Sequence, residues 1–298
     1  MQWIGFLFAT LGALSAALFF IPYKQAVQSV APEIFVMAMY LLSAGFSSIG
    51  LQFNQQKLRL NRVTCWAALG FAFLSVFGNY AVGRSLSLLD PAITVVVLRS
   101  QILLIIFLSW IFLKEALNQF FWIGALVALS GFLYMNNLGQ KQLYADTSGI
   151  FWALIAAFCF SLSQILMKRV IRQVQPLTIN LLRLLLGFSM MALIPGSLQA
   201  LLEMTATQWG LALLAAFFGP FASRTFQLYS FKVIPISQAV LLSMLTPIFT
   251  GLITWYLYQT SPTQTQLIGS SIILAGIALP LSYLCLQNFS FSRLAKAR

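Results

Sequence analysis

Residues 5–39, GFLFATLGALSAALFFIPYKQAVQSVAPEIFVMAM, lie without a gap on residues 149–183, GIFWALIAAFCFSLSQILMKRVIRQVQPLTINLLR, at an offset of 144. In this register Lys24 meets Lys168, Pro32 meets Pro176, and Phe8-Ala9 meets Trp152-Ala153. At an offset of 145, Ser85 to Gly131 lies on Ser230 to Gly276, with Trp110 on Trp255, Gly124 on Gly269 and Gly131 on Gly276. One such match means little in an apolar chain. Their common order and near-constant spacing read as a duplication, and the paired segments are long apolar runs without two-residue alternation. They predict helices rather than the strands of a barrel.

Working outward, the 298 residues are 60% hydrophobic and only 7% charged. Soluble domains have about 45–50% apolar and about 25% charged residues. So few charges cannot cover a soluble globule of this size, and the surrounding solvent is expected to be largely lipid. A span needs roughly 20 apolar residues to cross about 30 Å of hydrocarbon. Ten stretches qualify, at approximately 3–22, 33–53, 64–84, 91–113, 118–138, 148–167, 177–195, 208–230, 235–258 and 266–287. Turn signals separate them, among them Pro32, Asp90-Pro91, Pro176, Pro195-Gly196 and Pro235. The apolar start at Trp3, with no basic segment before it, predicts an uncleaved first span.

The formal charge of +12 does not form a nucleic-acid face, because the cations sit in short clusters between apolar runs. With both termini inside, eleven loop or tail cations face inward, and only Lys24 and Lys141 face outward. The excess of inner cations predicts cytoplasmic termini in a bacterial-type inner (plasma) membrane. Five spans per half is an odd number, so the second half would enter the membrane from the opposite side. The expected fold is therefore all-α and integral to the membrane, with ten transmembrane helices as two inverted five-helix repeats. Residues 1–138 form the first half, 139–147 a polar linker, and 148–298 the second half with a short basic tail.

The close of each half carries a resemblance. Trp110-Ile111-Phe112-Leu113-Lys114-Glu115 is followed by Gly124 and Gly131, and Leu245-Thr246-Pro247-Ile248-Phe249 by Gly269 and Ala275-Gly276. This resembles the EamA-type members of the drug/metabolite transporter superfamily, with their Thr-Pro-x-Phe helix, Gly-Glu turn and last helix with glycines seven apart. The chain departs from that pattern with Ile102 opposite Pro247, Lys114 in place of the glycine, and Gln259-Thr260 in place of the second Gly-Glu. The resemblance implies a secondary transporter of small metabolites working by alternating access, as a monomer or homodimer. A lipid or lipid-linked-sugar flippase on the same fold is the alternative.

Enzymatic chemistry has little to work with. There is no histidine, Cys65, Cys159 and Cys285 are scattered singly, and the five acids do not cluster, so neither a metal site nor another cofactor is expected. No Gly-x-x-x-x-Gly-Lys loop is present to hold ATP. Polar groups inside spans are costly and point to a bundle interior or a water-filled cavity. Arg99 lies about 12 Å from the outer edge of its span, too deep for easy snorkelling. Arg183 and Arg224 lie nearer an edge, but share helical faces with Asn180 and Gln227. The candidate substrate-binding set is Arg99, Gln101, Asn79, Tyr80, Gln164, Arg183, Arg224 and Thr246. With no acid deep in any span, these arginines suit an anionic metabolite, amino-acid-like or phosphorylated.

The cation asymmetry makes a direct prediction. In intact cells an impermeant thiol reagent should modify single cysteines placed in 139–147 and spare those in 55–62. Equal labelling of both loops overturns the orientation.

Overall fold

The computed structural model describes residues 2–26, 28–53, 61–86, 88, 94, 97–115, 119–135, 147–259 and 263–296. We label its principal helices α1 (Gln2–Ala26), α2 (Pro32–Phe53), α3 (Arg62–Leu86), α4 (Val97–Leu113) and α5 (Gln119–Met135) in the first half of the chain. The second half holds α6 (Thr147–Val170), α7 (Pro176–Ala192), α8 (Ala206–Val233), α9 (Ile236–Leu257) and α10 (Gln264–Lys296). A short helix, Ser197–Leu202, precedes α8.

Six of these helices, α1, α2, α3, α6, α8 and α9, are long and apolar enough to cross a membrane. The described parts of α4, α5, α7 and α10 include shorter apolar helices, and the linker 139–147 lies outside the described residues up to Asp146. Exposure is inverted relative to a soluble protein. Trp3, Trp66 and Phe151 are 75%, 72% and 61% exposed, whereas Arg183 is 4% exposed. Large apolar groups on the outside and a cation within suit a lipid solvent, and the chain is a multi-pass membrane protein.

Packing follows the duplication seen in the sequence. α5 lies along α10 and α2 along α7, while α3 packs on α6 and α8 on α1. α4 packs on α6 and α9 on α1; α3 also meets α7, and α8 meets α2. Exchanging each helix for the one five places along leaves this set of main contacts unchanged. The α5–α10 seam is the tightest case. A Cβ on Gly124 would fall 2.5 Å from the Gly276 carbonyl oxygen, and one on Gly131 would fall 2.8 Å from that of Gly269. Residue numbers rise on one helix as they fall on the other, so the two run antiparallel. Small residues let the backbones meet where lipid supplies no hydrophobic drive for association.

Among the described residues, α8 and α9 are interrupted near the middle and α4 near its start. α8 winds as a π-helix over Phe217–Ser223, around Pro220, before resuming at Arg224. Proline has no N–H to give the preceding turn, and the freed carbonyls need other donors. α9 tightens into a 3-10 turn over Ser243–Leu245, immediately before Thr246-Pro247. α4 breaks at Ser100, the repeat counterpart of Leu245, although Ile102 stands where the second half has proline. α3, the counterpart of α8, has no interruption over Arg62–Leu86.

The helix ends explain one departure from the family pattern. Lys114 ends α4 at φ 53° and Gln259 ends the α-helical part of α9 at φ 52°. These are repeat counterparts, and both adopt the left-handed conformation that glycine accepts without a Cβ penalty. A glycine preceding the glutamate thus has a backbone reason, which Lys114 and Gln259 meet at some conformational cost.

The glycine seam generates a graded test. Gly131→Ala and Gly276→Ala should each lower thermal stability in detergent by about 1–3 kcal/mol, the usual cost of overpacking. Gly45→Ala and Gly251→Ala, where an added Cβ meets nothing within 4 Å, should be neutral or slightly stabilising.

Candidate functional site

A cavity of about 480 Å³ lies between the helices, lined from α1, α2, α3, α4, α6, α7, α8 and α9. Among the described residues, α5 and α10 contribute none to the lining. They pack on each other instead. The interruptions in α4, α8 and α9 all fall at the cavity wall, where Arg99, Gln101, Gly219, Pro220, Ser243 and Thr246 line it.

Seven of the eight residues singled out from the sequence reach this wall: Arg99, Gln101, Asn79, Gln164, Arg183, Arg224 and Thr246. Tyr80 does not. It is 55% exposed, stacks on Phe77 and meets the edge of Trp152 on the outer face of α3. Adjacent residues on a helix point about 100° apart, so Asn79 and Tyr80 cannot share a narrow face. Arg84 is likewise outward, over Trp152 at 5.9 Å.

The arginines differ in how they are held. Arg183 Nη2 donates to Asn180 Oδ1 at 3.1 Å, and Asn180 Nδ2 in turn donates to the Pro220 carbonyl at 3.0 Å and to Ser47 Oγ at 3.4 Å. The carbonyl that Pro220 leaves without its helical donor is that of Ala216, four residues back, and Ser43 Oγ donates to it at 2.9 Å. Arg224 Nη1 donates to Gln227 Oε1 at 2.6 Å, and Gln227 Nε2 donates to Gln164 Oε1 at 3.3 Å. Arg183 and Arg224 both stand over the Phe71 ring, at 5.0 and 5.7 Å from its centroid. Arg183 also faces Tyr40 at 5.5 Å, and the Tyr40 hydroxyl accepts from Asn79 Nδ2 at 3.3 Å. Arg99 stands apart, over Phe132 at 5.1 Å.

No carboxylate is among the described lining residues. Glu115, the acid of the Lys114-Glu115 turn, accepts from the backbone N–H groups of Ile236 and Ser237 at 2.8 and 3.3 Å, and from Ser237 Oγ at 2.6 Å. It caps the start of α9, where a carboxylate favours unpaired N–H groups. Lys168 donates to the Phe231 and Ile234 carbonyls at 2.6 and 2.5 Å, closing the other end of the same turn. Glu115 and Lys168 therefore fix the α8–α9 connection and do not line the cavity. Ser161 is spent on the Gln101 and Ala157 carbonyls.

Sequence reading did not find Tyr40 or Phe71. Each is one aromatic residue among many, and no spacing distinguishes it from a core or lipid-facing ring. No group of three or more metal-ligating side chains occurs among the described residues.

Membrane-spanning helices thus surround a cavity whose wall mixes apolar groups with three arginines. The EamA-like transporter family model matches residues 3–137 and again 147–282, and the chain belongs to that family. A solved structure described only as "Crystal structure of protein" is similar in fold, with a TM-score of 0.73 at 19% identity over 91% of this chain and 96% of its own. No curated protein matches the chain. Membership makes it a membrane transporter of the drug/metabolite type, with a small-molecule substrate.

Water access separates the two neighbours on α3. In a background lacking Cys65, Cys159 and Cys285, Asn79→Cys should react with a charged thiol reagent and Tyr80→Cys should not. Equal reactivity contradicts the placement of the cavity.

Proposed function

We propose that this chain is a secondary carrier that moves a small anionic metabolite across the membrane by alternating access. The observation that carries the reading is the cavity wall itself: Arg99, Arg183 and Arg224 line it, and no carboxylate does among the described residues. An arginine at the centre of a span costs about 2.5–3.5 kcal/mol on insertion scales. Three of them facing one cavity without an acid leave a positive potential that an anionic substrate would neutralise. Guanidinium forks bind planar carboxylate or phosphate through paired hydrogen bonds.

In this reading residues 1–138 and 148–298 are inverted halves joined by 139–147, and they rock about a central site. The antiparallel α5–α10 seam supports the inversion. The repeat equates Gly124 with Gly269 and Gly131 with Gly276, and each glycine approaches the counterpart of the other. Such reciprocal pairing is expected of an approximate two-fold axis passing through the seam. The breaks in α4, α8 and α9 give the moving parts places to bend and supply backbone groups to the cavity. Arg99, Gln101, Asn79, Gln164, Arg183, Arg224 and Thr246 are the proposed substrate contacts. Tyr80, facing outward, is withdrawn from that set.

Proteoliposomes loaded with a panel of carboxylates and phosphate esters should take up at least one labelled member of the same panel. Arg99→Lys should slow that uptake by about tenfold at equal membrane abundance, because a lysine lacks the fork, and Arg99→Ala should nearly abolish it. Residual uptake that merely tracks protein abundance would make Arg99 structural. Movement of labelled phospholipid without anion uptake would make the protein a flippase.

A further inference from the structure

Resting on the anion-carrier reading, we propose that Arg183 and Arg224 together form a subsite for one dianionic oxyanion group, with Arg99 outside it. The two guanidiniums are set over the same ring, Phe71. Each is anchored by an amide three residues away on its own helix, Asn180 for Arg183 and Gln227 for Arg224. Those amides are held in turn by the Pro220 carbonyl and by Gln164. The anchors orient the guanidiniums without neutralising them, since amides carry no charge. A guanidinium has five N–H donors, so most remain for a ligand.

A second observation points to a missing partner. Arg183 is 4% exposed, and its Nε is buried with no hydrogen-bond partner. Leaving a buried charged donor unpaired costs more than leaving a neutral one unpaired. An oxyanion that reached both Arg183 and Arg224 would supply the acceptor. It would also relieve the repulsion between like charges that no carboxylate screens. Two fixed positive charges match a group carrying two negative ones better than a single carboxylate. A phosphate monoester and a sulfate share that chemistry.

The duplication supports a role in ligand binding over a role in folding. The repeat places Met39 opposite Arg183, and the 145-residue offset carried back along α3 places Asn79 opposite Arg224. The first half thus builds the equivalent helices with neither cation. The scaffold does not require the pair; one half alone has it. Arg99, over Phe132 and sharing no ring or amide with the other two, is free to meet a second polar or anionic part of the substrate.

The probes are inorganic phosphate and sulfate, with acetate as the monoanion, added to the purified full-length protein in lipid nanodiscs. Thermal midpoint and tryptophan fluorescence read binding. Phosphate and sulfate should stabilise the protein and acetate should do so weakly. Arg183→Lys and Arg224→Lys should each weaken phosphate binding by about tenfold or more, while Arg84→Gln, which stands outside the cavity over Trp152, leaves it within about twofold. Because the lysine variants could unfold, Gln227→Glu serves as a second route. It keeps both arginines but sets a carboxylate against Arg224, and should abolish phosphate binding without lowering the midpoint in ion-free buffer. The pH dependence has a defined sign. Phosphate gains its second charge near neutral pH, as phosphate monoesters do at about 6, whereas arginine stays charged. Phosphate binding should therefore strengthen as pH rises from 5 to 8, and sulfate binding should stay flat. Unchanged phosphate binding in the Arg183, Arg224 and Gln227 variants, or an equal loss in Arg84→Gln, overturns the subsite while leaving anion transport standing. If no anion binds and none is transported, the carrier reading fails as well.

Discussion

A guanidinium cannot rest in hydrocarbon, and the packing of this bundle is organised around three that are placed inside it. Arg99, Arg183 and Arg224 line one cavity, and the helices that carry them turn their apolar faces outward to lipid. What keeps the cations inside is a set of neutral supports. Phe71, Tyr40 and Phe132 offer ring faces, and Asn180 and Gln227 offer amide oxygens. None of these cancels charge. The arrangement holds positive potential at a fixed place, which is the basis of the proposed anion site.

The backbone has a matching role. Pro220 cannot complete its helix, so α8 widens into a π-helical segment; Ser43 donates to the Ala216 carbonyl that the proline leaves free, and Asn180, the side chain that steadies Arg183, donates to the carbonyl of Pro220 itself. The local defect and the charge are thus tied by one amide. Elsewhere the connections are stiffened. Glu115 caps the start of α9, and Lys168 takes the carbonyls at the end of α8, so the α8–α9 turn is held at both ends by charged side chains from α4 and α6. The fixed turn and the interrupted helix middles divide the second half into parts that hold their shape and parts that can bend.

Duplication gives the scaffold, and divergence gives the site. The glycines of the α5–α10 seam, the left-handed residues Lys114 and Gln259, and the breaks at Ser100 and Leu245 all fall at equivalent repeat positions. These are features of backbone geometry, and both halves need them for the same reason. The polar side chains do not repeat in this way: Asn79 stands opposite Arg224, Met39 opposite Arg183, and Gln101 opposite Thr246. Symmetry thus serves the packing, while the cavity is chemically one-sided.

The sequence by itself determined the solvent of this protein, because a 7% charged chain with apolar runs of helical length has no stable place in water. It also determined the duplication and pointed to all three arginines of the cavity wall, since a polar residue deep in a span must turn away from lipid. It placed Tyr80 in the candidate set with Asn79, whereas the structure turns that ring outward. An amphipathic ring is as stable at a lipid-facing surface as inside a bundle, and only packing against Phe77 and Trp152 decides between them. The tertiary structure alone brought Phe71 of α3 beneath Arg183 of α7 and Arg224 of α8. It alone sent Glu115 to the start of α9 and Lys168 to the end of α8. Periodicity fixes which residues share a face of one helix, but which faces meet depends on how helices distant in the chain cross.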